Sequence, residues 1–313
     1  MEKVATRDAY GKALVKLGEQ MPQVVVLDAD LSKSTKTHDF KKVFPERFIN
    51  VGIAEQNLLG IAAGMAASGK IAFASTFAVF ATGRAFEQIR NSIAYTELNV
   101  KIAATHAGLT VGEDGASHQA IVDMAVMRAL PNMTVIVPAD ATETEKAVFA
   151  AAAHDGPVYL RLGRAPVPIL FDDDYKFEIG KAVVLRDGKD VALLACGIMV
   201  NEAMKAAEEL AREGISARVI NVSTLKPIDK GTIIKAALET GALVTAEEHN
   251  IIGGLGSAVA EVIVENAPVP LERVGVRDTF GESGKPEELL EKYGLTVKDI
   301  REAAYKVIKR KKG

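Results

Sequence analysis

The chain has no tryptophan, one cysteine, five histidines and no marked charge imbalance, with a formal net charge of −3 over 313 residues. Each shortage excludes something. The single cysteine, Cys196 in the apolar run VALLACG, rules out an intrachain disulfide and fits a reducing cytoplasmic setting; a buried strand residue is expected there, not a nucleophile. The near-neutral balance leaves no electrostatic footprint for nucleic acid. The longest apolar runs, such as IAFASTFAVFA, fall short of the roughly 20 residues that a membrane helix requires. No signal peptide precedes Ala5, so neither a membrane nor export is expected. Hydrophobic residues are plentiful at 48%, enough to fill two ordinary cores.

The stretch that organises the rest is residues 48–80, FINVGIAEQNLLGIAAGMAASGKIAFASTFAVF. It reads as a strand over 48–51, a turn at Gly52, a helix from Ala54 to Ser68 and Gly69, and a second strand beginning over 71–74. Its one carboxylate, Glu55, falls where strand gives way to helix, the edge at which open α/β sheets place their ligands. Two readings of Glu55 stand: a first-turn acid favoured by the helix dipole and facing water, or an acid aimed at a ligand. Phe77 and Phe80, just past the second strand, offer flat rings beside that acid, a surface suited to a heteroaromatic ligand. A second cluster lies in THAGLTVGEDGASHQ, residues 105–119, where His106 and His118 flank a glycine-rich loop carrying Glu113 and Asp114.

Strands and helices alternate along the remaining chain. A helix is expected over 6–19 with Thr6 as its N-cap, then the apolar strand VVVLD, then a loop in which Ser32, Lys33 and Ser34 offer donors to an anion. Further helices are expected over 85–95, 120–127 and 141–153, and further strands over 100–104, 134–138 and 158–162. These strands are unbroken apolar runs, so the fold class is α/β, a doubly wound parallel sheet over residues 1–165. Arg7 and Arg164 each have two readings, a solvated surface arginine or a ligand for an anion. Residues 166–181, with two prolines and an acidic run, form a linker, and 182–313 a smaller α/β domain with strands over 182–185, 191–195, 217–222, 242–246 and 271–276. Asp172, Asp173 and Asp174 are read as solvated charge and not as a metal site. GGLGSAV is a glycine turn before a closely packed helix. His249 with Glu247 and Glu248 is expected as a surface cluster, an interface being the alternative, KRKKG as a frayed basic end, and His38 takes no role.

These motifs resemble the C-terminal half of transketolase, best in split transketolases where that half is a separate polypeptide. GIAEQ is shared with other thiamine diphosphate enzymes; VGEDGASHQ followed by LPNMTVIVPAD is more specific, and the similarity extends from TRDAY to FGESG. The resemblance implies a pyrimidine-binding (Pyr) domain followed by a transketolase-type C-terminal domain. It also implies ketol transfer between sugar phosphates of the pentose phosphate pathway through a thiamine diphosphate ylid. Glu55 is then the acid at the aminopyrimidine nitrogen, and Phe80 with Phe77 the stacking platform. An acid that must share its proton benefits from desolvation, which Ile53, Ala54, Leu58 and Leu59 are placed to provide. His118 lies near the reactive thiazolium carbon and the sugar hydroxyls, Asp114 bonds a substrate hydroxyl, and Arg7, Ser34, His106 and Arg164 take the phosphate end. One departure is Gly83, where the family commonly has an aromatic.

The cofactor's Mg²⁺ or Ca²⁺ comes in this family from a GDG-type motif of the N-terminal half. The chain has EDG, RDG and HDG but no GDG, so no metal ligand is assigned to it. A separate N-terminal subunit is expected to supply metal and diphosphate binding in an α2β2 heterotetramer. Alternatives are a subunit like 1-deoxyxylulose-5-phosphate synthase or the β chain of a 2-oxo acid dehydrogenase, and a non-catalytic scaffold.

Overall fold

The structure, a computed structural model, describes residues 2–311. The first part of the chain forms β1 (Lys3–Ala5), α1 (Thr6–Gln20), β2 (Val24–Asp28), α2 (Ser32–Thr35), α3 (Thr37–Val43), β3 (Phe48–Asn50), α4 (Glu55–Ala67), β4 (Ile71–Phe77), α5 (Ala78–Arg84), β5 (Val100–Thr105), α6 (Asp123–Ala129), β6 (Thr134–Ile136), α7 (Ala141–Ala153) and β7 (Val158–Arg161). After β8 (Pro166–Pro168) come β9 (Val183–Arg186), β10 (Val191–Ala195), α8 (Met199–Arg212), β11 (Ala217–Asn221), β12 (Thr224–Lys226), α9 (Lys230–Thr240), β13 (Leu243–Asn250), α10 (Leu255–Asn266), β14 (Leu271–Val276), α11 (Pro286–Lys292) and α12 (Val297–Lys311).

Two sheets result. The larger has the order β12-β6-β7-β5-β4-β2-β3 and is parallel except for β12. Its strands alternate between two helical layers, as a pleat with a period of two requires. Val24 and Val26 pack with Tyr10 and Leu14 of α1 and Ala147 of α7, while Val25 and Leu27 pack with Leu58 and Leu59 of α4. The smaller sheet, β14-β13-β10-β11-β9, is parallel except for β9 and lies between α8 with α12 on one face and α9 with α10 on the other. One apolar cluster runs from Leu58 through Val135 to Leu194 and Val259, so the two sheets share a core. Among the described residues no helix is long and apolar enough to cross a membrane.

Several expectations are corrected. Ala5, not Thr6, is the N-cap of α1; Thr6 is helical, and its hydroxyl accepts the Gly163 N–H at 2.7 Å, tying α1 to the end of β7. The helix expected over 85–95 is largely a π-helical segment, Gln88–Ala94, and is preceded by an unexpected helix, α5, that ends at Arg84. The helix expected from 120 begins at Asp123, because Ala120 bridges Ala107 at the base of the histidine loop. The start of the expected linker is a strand, β8, which pairs antiparallel with β1. Glu247, Glu248 and His249, expected at the surface, are buried on β13. The C-terminal residues 309–311 are helical, with Arg310 bonded to Glu272 and Lys311 to the Thr240 carbonyl; Lys312 and Gly313 lie outside the described residues. The glycine turn stands: a Cβ on Gly254 would lie 1.9 Å from the Glu247 carboxylate, which accepts the N–H groups of Leu255 and Gly256 at the start of α10. Cys196 is buried just past β10, and burial pushes its thiol up.

Candidate functional site

The C-terminal ends of β2, β4, β5 and β7 open on one edge of the large sheet. There β2 and β4 are neighbours although the chain leaves β2 for β3 on its other side, and such a reversal opens a crevice. Glu55 is the first residue of α4 and only 5% exposed. Its carboxylate accepts a hydrogen bond from Arg84 Nη1 at 2.7 Å, and the Arg84 guanidinium lies 4.0 Å above the centroid of the Phe80 ring. Leu58 and Leu59 are fully buried behind the acid, whereas Ile53 is 78% exposed and shields nothing. Phe77 ends β4 and stacks on Phe80 at 5.6 Å and on His106 at 3.8 Å. His118 meets the two phenylalanines edge-on, 6.3 and 5.3 Å away, so the link from Glu55 to His118 runs through Arg84 and Phe80.

His106 follows β5 in a left-handed conformation, with φ of 56°. Its Nε2 lies 3.0 Å from Arg7 Nη1 and its Nδ1 2.8 Å from the Thr105 hydroxyl. A guanidinium can only donate, so Nε2 is the acceptor and the ring proton sits on Nδ1. Burial, then the charges of Arg7, Arg164, His118 and Lys36, lower the His106 pKa to about 3, which keeps the ring neutral. Arg7 Nη1 also donates to the Ser34 carbonyl at 3.2 Å, so Ser34 joins through its main chain and not its hydroxyl. Arg7 Nε is buried with no partner. Arg164 donates to the Val111 carbonyl at 2.7 Å and to Asp114 Oδ2 at 3.0 Å.

All the expected site residues therefore gather at one edge, and two contributors were missed. Arg84 follows Phe80 by four residues, the spacing that puts two side chains on one helical face, and that signal was available. Asp28, fully buried, accepts from Leu31 N–H and from the hydroxyls of Thr35 and Thr37, and so shapes the segment that presents Ser34. Gly83 is exposed, and a Cβ there would meet nothing within 4 Å. Among the described residues no group of three or more His, Cys, Asp or Glu side chains is placed to hold a metal ion, and Asp172, Asp173 and Asp174 are exposed.

Residues 2–168 match the family model described as transketolase, pyrimidine binding domain, and residues 180–300 that of the transketolase C-terminal domain. A protein of Methanocaldococcus jannaschii named "Putative transketolase C-terminal section" is 52% identical over 297 residues, covering 94% of this chain and 93% of that protein. A 6-deoxy-6-sulfo-D-fructose transketolase subunit from Clostridium sp. (strain MSTE9) is 48% identical over 305 residues, covering 97% and 95%. The solved structure described as a split gene transketolase, inactive beta4 tetramer, matches with a TM-score of 0.93 at 62% identity, covering 98% of this chain and 99% of that one.

Proposed function

The chain belongs to the transketolase family, and on that premise we propose that it is the C-terminal subunit of a split transketolase, moving a two-carbon ketol unit between sugar phosphates at a site completed by a separate N-terminal subunit. The observation that carries this reading is the unbroken line of contacts from Glu55 through Arg84, Phe80, His118 and Phe77 to His106 and Arg7. An acid and a flat ring stand at one end of that line and arginines at the other.

Thiamine diphosphate, when bound, supplies the carbanion equivalent that ketol transfer needs and that no side chain can furnish. The residues present fit its pyrimidine. The Arg84 guanidinium, a planar nitrogen donor, lies on Phe80 while donating to Glu55, and an aminopyrimidine makes the same two demands. Glu55 would hold a proton at the ring nitrogen, and Phe80 backed by Phe77 would form the stacking face. At the far end Arg7 and Arg164 present cations, and neutral His106 fixes the direction of Arg7. The unpartnered Arg7 Nε leaves a donor free for the anionic end of the sugar. Asp114 and His118 are assigned to the sugar hydroxyls. Diphosphate and Mg²⁺ or Ca²⁺ are assigned to the N-terminal subunit, with an α2β2 assembly.

The test is ketol transfer from xylulose 5-phosphate to ribose 5-phosphate with Mg²⁺ and thiamine diphosphate, by the chain alone and with its N-terminal partner. Turnover is expected only in the mixture. Turnover by the chain alone would end the split-site reading, and condensation of pyruvate with glyceraldehyde 3-phosphate in place of ketol transfer would move the assignment to the synthase.

A further inference from the structure

The histidine loop is closed at its base, where Gly108 N–H donates to the Ala120 carbonyl at 2.9 Å and Ala107 bridges Ala120. Its underside does not rest on the large sheet. Gln119 Nε2 donates inward to the carbonyls of Leu109 and Gly112 and outward to that of Glu282, at 2.9 Å. A Cβ on Gly115 would lie 2.6 Å from the Ser283 hydroxyl. The central contact is Glu248, at the end of β13, whose carboxylate accepts the Thr110 N–H at 2.6 Å. The loop passes so close that a Cβ on Gly108 would lie 2.2 Å from the Glu248 carboxyl carbon, and Gly108 has φ of +84°. Only glycine meets both conditions without strain.

Glu248 is 4% exposed, and burying a carboxylate is unfavourable unless something specific offsets it. The nearby charge of Arg161 offsets part of that cost, but Arg161 makes no hydrogen bond to the Glu248 carboxylate. Arg161 is already bonded to Asp123 through Nε at 2.8 Å, and from Glu248 it takes only the main-chain carbonyl, at 3.0 Å. The carboxylate's hydrogen bond goes to the loop, and when ionised it accepts the Thr110 amide more strongly than a neutral acceptor would.

We propose that Glu248 is a positioning residue: by gripping the Thr110 amide it fixes the pose of the segment Leu109–Asp114, and with it Asp114 and His118, so that the C-terminal unit acts on sugar binding through the loop. The inference rests on the reading that Asp114 and His118 meet the substrate. Glu248→Ala leaves the Thr110 N–H unpaired, and Glu248→Gln keeps the shape and an acceptor without the charge. Two measurements decide. In the chain alone, hydrogen exchange at the amides of residues 109–114 is expected to quicken tenfold or more in Glu248→Ala and less in Glu248→Gln, with the strands of both sheets unchanged. In the complex with the N-terminal subunit, the sugar phosphate KM is expected to rise about tenfold, because small displacements of positioning groups carry penalties of that order or larger. In the same complex kcat should fall less, and the dissociation constant of thiamine diphosphate should stay within twofold of wild type.

Unchanged exchange at those amides would overturn the inference. So would a KM and a cofactor dissociation constant that rise together in the shape-preserving Gln variant, since that marks a general defect. Should the wild-type complex transfer no ketol group, the assigned reaction falls instead, and the exchange result by itself decides whether Glu248 holds the loop.

Discussion

Arg84 occupies Glu55 and Phe80, the two partners that an aminopyrimidine would need on the proposed reading. The arginine is 53% exposed, so its ion pair with Glu55 is worth no more than about 1 kcal/mol. Arg84→Ala should therefore tighten thiamine diphosphate binding by the assembled complex about fivefold, read by calorimetry; weaker binding would make Arg84 a contributor to the site and not a competitor. Glu55→Gln should lower kcat by about 10²- to 10⁴-fold with little change in cofactor affinity. His106 gives a pH test. Its folded pKa of about 3 lies below the ordinary imidazole value of 6.5, so between these limits the unfolded chain binds the proton and the folded chain does not. Stability from this group thus rises with pH across that window, by at most about 1.4 kcal/mol per unit, and is lost as pH falls. Glu247 and Glu248, pushed up to about 7 by burial, act in the opposite sense between 4.5 and 7, so an NMR titration separates the groups better than a melt does. The His106 ring resonances should stay at their neutral positions down to about pH 5. The aromatic pair and His106 were legible because they follow the ends of apolar strands, and His118 because it shares a glycine-rich loop with His106. The proton on His106 Nδ1 was not, because it depends on Arg7, 99 residues away.

The central strands and most long helices declared themselves through apolar runs or helical spacing, and α7 falls on the residues expected for it, but α3 and α5, seven residues each, were not expected. Nor were three of the three-residue strands: β1, β8 and β12 are too short to show a period, and two of them hold or adjoin proline, whereas β3 and β6 lie within longer apolar runs. Yet β12 matters, because Lys226 turns back from it to donate to the carbonyls of Arg128, at 3.0 Å, and Leu130. Lys226→Met would leave both carbonyls short of a donor, a loss of about 1–3 kcal/mol, and the melting temperature should fall by several degrees in calorimetry. Gly83→Ala in α5 should act the other way, by about 0.5–1 kcal/mol, since its Cβ meets nothing and the helix loses a flexible residue.

At the scale of the molecule the sequence resemblance foretold two α/β units, and unbroken apolar strands made their parallel sheets legible. How the units meet was hidden, because Glu247, Glu248 and His249 carry the polar composition of a surface and lie in the interior. Burial of that kind needs partners from distant segments, which local pattern does not reveal. If the chain works as proposed, mixing it with its N-terminal partner should give one sedimenting species holding both chains in equal number. Persistence of two separate species at micromolar concentration would count against the assembly.

Strand β12 follows the second unit in chain order and the first in its hydrogen bonds. A gene divided between residues 168 and 180 would give one product whose β6 is left as a bare edge, a template for sticking to other chains, and another with an orphan strand. A chimera that swaps one half must therefore import the matching edge strand with it.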